Sequence, residues 1–136
     1  MTPDEIELSR RFMTLNRVQD FSFCQMYDPI TGQYIRILSP THLIEPEFIP
    51  DLNDEMTGAR LLFCLREAPE TYWHKTDSEV VVTLNNVKKH ESEYRVVLSI
   101  KRPYPTHPTH PRQVFFHGRT LAHVCAQAFV SFTEGL

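Results

Sequence analysis

Glycine is scarce in this chain, with four residues against ten prolines. Neither a Walker loop nor a dinucleotide-binding glycine fingerprint occurs, so no glycine-rich cradle for phosphates is encoded. The three cysteines, Cys24, Cys64 and Cys125, are an odd number, lie far apart and form no Cys-x-x-Cys pair. That excludes a disulfide framework and half of a zinc site, and it fits reduced core thiols. No apolar run is long enough to span a membrane, and MTPDEIELSRRF does not read as a signal peptide, so a cytoplasmic location is expected. The net charge of −3, with acids and bases interspersed, leaves no general nucleic-acid footprint. His-Pro-Thr occurs once, at His107–Thr109, without the second copy that a two-motif phosphoesterase needs. No Ser/His/Asp order is present either, so the expectation is a protein that is not an enzyme, with no catalytic residue.

What is present is enough apolar side chain, 41% of residues, to build a core, at a length that suits one domain. The stretch 112–132 organises the rest. Residues 112–117 read as a strand, Gly118-Arg119 as a tight turn and Thr120 as the cap of a helix to about residue 132. Leu121, Cys125, Ala128, Phe129 and Phe132 form one apolar face of that helix. Strands are expected at 79–86 and 93–101, joined by a polar turn, and with 112–117 they make a three-stranded antiparallel meander. Val81, Thr83, Val97 and Ser99 are too apolar for open water, so cover on both faces of the sheet, at least in part, is expected.

Upstream, Thr2-Pro3-Asp4-Glu5 is a capping box that starts a helix over 3–17, with Leu8, Phe12 and Leu15 inward. Residues 21–38 read as a β-hairpin whose turn is Asp28-Pro29-Ile30-Thr31-Gly32. A second helix is expected over 53–67, capped by Asp51 or Asn53 and stopped by Pro69. Leu52, Met56, Ala59, Leu62 and Phe63 would line its buried face, and Gly58 would mark a close helix–sheet contact. Prolines cluster at 40–50 and 103–111, both read as stiff extended segments. The fold class is therefore α+β in a single domain, 1–136. Residues 1–50 hold the first helix, the hairpin and a proline-rich crossover, and 51–136 the helix–meander–helix sandwich.

Taken in order, YDPITGQYIR, the proline-rich stretch, IPDLNDEMTGARLLFCLREA, the meander and HGRTLAHVCAQAF resemble the phage ABA-sandwich domain family over roughly residues 15–132. The shared pieces are the Asp28, Pro29, Thr31, Gly32 hairpin followed by Tyr34 and Arg36, and the Thr-capped last helix rich in Ala and Cys. One departure is Gln127, which stands where the family's last helix often carries an Arg. The resemblance implies a small phage or prophage protein with an α+β sandwich, in a family largely without assigned function.

The histidines His107, His110 and His117 are spaced loosely for a metal, but the first two stand next to prolines in an extended segment, and no metal or cofactor is expected. Glu67, Glu70 and His74 are neighbours in sequence without further support as a site. The better-motivated site is the start of the last helix. His117, Arg119 and Thr120 stand there, where free N–H groups and the helix dipole favour an anion. Arg95, Lys101 and Arg112 lie on or beside neighbouring strands, and Phe115 and Trp73 are candidates to stack on a base. The ligand-binding set is thus Arg119, His117, Thr120, Arg95, Arg112, Phe115 and Trp73, for a phosphate-bearing nucleotide signal, cyclic or linear, withheld from a defence system. The competing expectation is a protein–protein inhibitor of a host defence protein, using loop 103–111 with Tyr104 and the apolar segment 41–50. A homodimer or higher assembly is expected in either case.

Overall fold

A computed structural model describes residues 1–16, 20–72, 79–87, 93–101 and 112–134. Helix α1 (Pro3–Leu15) begins at the expected capping box: Glu5 N–H donates to Thr2 Oγ1 and Thr2 N–H to the Glu5 carboxylate. Phe12 and Ser9 are fully buried on it, and Ser9 donates to the Pro50 carbonyl at 2.6 Å. Arg11, on the outer side, ion-pairs with Glu134 at the far end of the chain.

Strands β1 (Gln25–Tyr27) and β2 (Tyr34–Arg36) form the hairpin, with Met26 opposite Ile35. The Asp28 carboxylate accepts from Ile30 N–H and from the Thr31 hydroxyl, bonds that hold it below the usual carboxylate range. Gly32 closes the turn at φ +74°. A short strand, β3 (Ile49–Pro50), pairs with the free side of β1, giving the order β2-β1-β3. It draws Phe48 and Ile49 inward, so this end of the apolar segment packs on its own sheet. Leu43, earlier in the segment, is 91% exposed. Loop 103–111 lies outside the described residues.

Helix α2 (Glu55–Tyr72) departs from expectation in three ways. Its cap is Asp54, whose Oδ2 accepts from Thr57 N–H and from the Thr57 hydroxyl. Asp51 instead closes the preceding turn by accepting from Asn53 N–H. Arg36 decides between these two aspartates, because it reaches Asp54 with both terminal nitrogens, at 2.9 and 3.2 Å. Pro69 does not stop the helix, which continues to Tyr72. A proline so near the end disturbs only the last turns, and Leu65 and Ala68 are already anchored in the core. The helix is also rotated. Thr57, Leu61, Cys64, Leu65 and Ala68 are buried, while Met56, Ala59 and Phe63 face outward. Gly58 does mark a close contact, but with another helix rather than with the sheet.

That helix is α3 (Leu121–Thr133), capped by Thr120 as expected. The sequence predicts a helix with one apolar face. It is instead the middle of the molecule, with Ala122, Val124, Cys125, Ala126, Ala128, Phe129, Val130 and Phe132 all buried. Helices α1 and α2 pack on it from one side. The strands β5 (Glu93–Lys101) and β6 (Arg112–Gly118) pack on it from the other. With β4 (Glu79–Val87) they form the expected meander, order β4-β5-β6. Val96 and Leu98 face α3 and join the core. The other face is less covered than expected at β6, where Gln113, Phe115 and His117 are exposed, although Val97 beside them is buried.

The three cysteines are free and buried. Burial pushes the Cys24 and Cys125 thiols up to about 12 and Cys64 up to about 11, so they act as apolar core groups rather than nucleophiles.

Phe23 is the one non-glycine among the described residues with positive φ, at 66°, and its ring is 52% exposed. Its N–H donates to the Ile37 carbonyl at 2.6 Å and its carbonyl accepts from Arg36 at 2.7 Å, so the backbone is held there from both sides. Left-handed backbone costs a bulky residue about 1–2 kcal/mol, roughly what half-burying a phenyl ring returns. Phe23→Asn, which tolerates this conformation, is therefore expected to change unfolding free energy by less than about 1 kcal/mol, as read by urea denaturation.

Candidate functional site

The start of α3 is fixed by Thr120. Its hydroxyl oxygen accepts from His123 N–H at 3.1 Å, and the hydroxyl donates to the Leu52 carbonyl just before α2. The two helices therefore begin side by side. Directly upstream, Gly118 pairs with Tyr94 at the start of β5, and a Cβ at Gly118 would stand 3.2 Å from the Val124 nitrogen. This close approach is what lets the strand pass straight into the helix.

A cleft of about 350 Å³ opens where these pieces meet, lined by Asn53, Glu55, Tyr94, Arg119, Thr120 and Leu121. It lies at the small end of the range for small-molecule sites, roughly 300–1,000 Å³. Asn53 and Glu55 come from the start of α2, and Arg119, Thr120 and Leu121 from the start of α3. The first turns of both helices thus border one space, and first-turn N–H groups lack intrahelical acceptors. The polar inventory is a guanidinium, a carboxylate, a phenol, an amide and a hydroxyl.

Behind the cleft wall lies the Arg36–Asp54 pair. Burial works to raise the Asp54 carboxyl, but hydrogen bonds from Arg36 and from Thr57 outweigh it and hold the group below its ordinary range. Asp51, nearby, is pushed up, chiefly by burial. Arg36 also bonds Gln25 Oε1 at 2.8 Å, and Gln25 N–H bonds Thr57. The hairpin is thereby locked to the cap of α2.

Of the residues singled out from sequence, Arg119 and Thr120 stand at this cleft. Arg95, Phe115 and His117 do not. They lie on the sheet face turned away from α3, with Arg95 opposite His117 and its guanidinium carbon 5.9 Å from the Phe115 ring centre. His117 and Phe115 instead border a shallower hollow of about 430 Å³ that includes Arg11 and Gln127. Arg112 is a strand residue of β6 opposite Ile100. Trp73, His74, His107 and His110 lie outside the described residues. Gln127 bonds His123 within α3 at 2.9 Å. Asn53, Glu55 and Tyr94 were missed. Tyr94 was readable in principle, because a meander in this register sets it opposite Gly118, one residue before Arg119.

Among the described residues no group of three or more His, Cys, Asp or Glu is placed to hold a metal ion, and no helix is long and apolar enough to cross a membrane. Compared with protein-family models, with curated proteins and with solved structures, the chain matches none.

Proposed function

We propose that this chain is a non-enzymatic phage or prophage accessory protein that counteracts a bacterial defence by holding a phosphate-bearing nucleotide in the cleft between the starts of α2 and α3. The observation that carries the reading is that cleft, with Arg119 and two helix starts on its walls. Arg119 supplies the cation and the planar donors that a phosphate takes, and the first-turn N–H groups add a partial positive charge. Tyr94 offers an aromatic surface for a base. Glu55 repels a bare anion, yet it accepts hydrogen bonds from ribose hydroxyls and base amines. The set therefore suits a nucleotide better than inorganic phosphate. The phage assignment rests on the family resemblance in the sequence.

The test is calorimetry with a panel of linear and cyclic nucleotides. At least one is expected to bind the native chain, and Arg119→Ala is expected to weaken it about tenfold or more, the loss of one charge-assisted contact of about 1.4 kcal/mol. Arg95→Ala, on the other face of the sheet, should bind as the native chain does. No heat with any nucleotide ends the proposal.

The inhibitor reading draws support from one observation, the 91% exposure of Leu43 on a proline-flanked segment. Pull-down from a bacterial host with the native chain and Leu43→Asp separates the readings. A stable host protein lost from Leu43→Asp favours inhibition.

A further inference from the structure

We propose that the protein pairs with a second copy of itself through the outward face of α2, the two helices running antiparallel. The face consists of Glu55, Met56, Ala59, Phe63 and Arg66. At about 100° per residue these five fall within a single arc of roughly 100°. All are exposed, Met56 by 51% and Phe63 by 49%. The opposite arc, with Thr57, Leu61, Cys64 and Leu65, is the one packed in the core. Helix α2 is thus apolar on two sides, and only one of them is satisfied within the chain.

The outward pattern is complementary to itself. Place a two-fold axis beside the helix, level with Arg60.

 

The axis brings Met56 opposite the partner subunit's Phe63, and Glu55 opposite the partner subunit's Arg66. Both matches hold in angle, and in height to within one residue, about 1.5 Å. Met56 and Phe63 lie on one flank of Ala59, Glu55 and Arg66 on the other, and this axis keeps each flank facing its own kind. A thioether meets an aromatic ring on one side, and a carboxylate meets a guanidinium on the other. Ala59, the smallest of the five, stands where the helices approach closest. Arg60 lies at the rim near the axis, where Asp20 neutralises it at 3.4 Å and Phe63 stacks beneath it at 5.3 Å. A parallel arrangement would cross the flanks, setting Glu55 and Arg66 against Met56 and Phe63 and leaving no carboxylate–guanidinium pair. The charge placement on the face therefore selects the antiparallel pair, and such an isologous contact is what a homodimer requires.

Phe23 is a second, separate observation. The segment that carries it is tied to α2 at both ends, by the Asp20–Arg60 ion pair and by Gln25 N–H on Thr57. That places it along the Met56–Arg60 flank, where its half-exposed ring extends the apolar surface. Its strained backbone is not needed for the stability of the single chain, as argued above, and a contact surface gives that ring a use. Pairing would also bring the partner subunit's Arg66 to Glu55, a residue of the cleft wall. The pairing does not depend on the nucleotide reading.

Sedimentation equilibrium of the full chain tests the proposal. The native chain is expected to be a dimer at about 100 μM, a concentration that fills even a dimer of micromolar dissociation constant. Ala59→Arg is expected to be monomeric with unchanged circular dichroism. Glu55→Arg and Arg66→Glu should each dimerise at least tenfold more weakly, and their equimolar mixture should recover the dimer, because each chain then carries the charges the other lacks. A monomeric native chain overturns the proposal, as does a folded Ala59→Arg that remains a dimer. Should Ala59→Arg fail to fold, the mixture decides, and a mixture that stays monomeric overturns the antiparallel pairing.

Discussion

Phe129→Ala is expected to lower the unfolding free energy by about 4 kcal/mol, the largest effect of any single truncation considered for this chain. Phe129 is 1% exposed and sits on α3, which packs against α1, α2 and the meander strands β5 and β6. Its ring lies 4.8 Å from that of Phe12 on α1, tilted by 60°. The substitution removes the transfer free energy of a buried phenyl group and leaves a cavity bounded by two helices that cannot both close on it. It also removes the ring pair, which contributes about 0.5–1.5 kcal/mol beyond the area it buries. Domains of this kind have about 5–15 kcal/mol in all, so about a quarter of the stability or more is at stake. Urea denaturation at fixed protein concentration is the measurement, with the midpoint falling and the slope unchanged. Phe12→Ala should cost a similar amount, and the double variant less than the sum, because the two rings share one contact. A loss below about 1.5 kcal/mol for Phe129→Ala would mean that α3 is not the centre of the core.

Why α3 is central was only partly legible in the sequence. Five of its apolar positions suggest one face, but Ala122, Val124, Ala126 and Val130 widen it to about two thirds of the circumference, leaving His123, Gln127 and Ser131 as one polar stripe. A helix apolar over so wide an arc is largely buried, and that pattern is present in the sequence. The elements set by local chemistry were read most closely. The capping box at Thr2 and Glu5 and the Asp28–Gly32 turn are each decided within a few residues, by hydrogen bonds that the chain makes with itself. Helix α2 was harder. It carries two apolar stripes, and periodicity cannot say which of them turns inward. Packing decides, and it selects the stripe containing Gly58, because that side allows the closest approach to α3. Its cap was decided from a distance too, by Arg36 on the hairpin. The same division runs through the site. Arg119 and Thr120 are adjacent in sequence and remain together. Arg95, Phe115 and His117 were grouped with them by proximity in sequence and strand pairing, and alternation along β5 and β6 puts them on the other face.

Gly58→Ala is expected to destabilise the protein by about 2 kcal/mol, against the helix-propensity rule. In an exposed helix interior, replacing Gly by Ala gains about 1 kcal/mol. Here a Cβ at position 58 would stand 2.9 Å from the Ala122 nitrogen and 2.9 Å from Leu121 Cβ. The first of these is backbone and cannot rotate away, so α2 and α3 must separate. Overpacking costs about 1–3 kcal/mol, and a 2.9 Å approach to backbone puts this one near 3, about 2 kcal/mol beyond the propensity gain. The neighbouring Ala59 supplies the control. It is exposed, so Ala59→Gly should follow the ordinary rule and cost about 1 kcal/mol in the single chain. Two adjacent positions on one helix thus give the same direction for opposite substitutions, which propensity alone cannot produce. The consequence reaches the cleft as well, because Leu121 lines it and Thr120 ties it to Leu52. Separating the helices moves Arg119 relative to Glu55, so Gly58→Ala should weaken whatever the cleft binds even at temperatures where the chain is fully folded. Thermal unfolding and calorimetry on the same variant measure both effects. A Gly58→Ala chain that melts higher than the native one would show that α2 and α3 do not meet at this glycine.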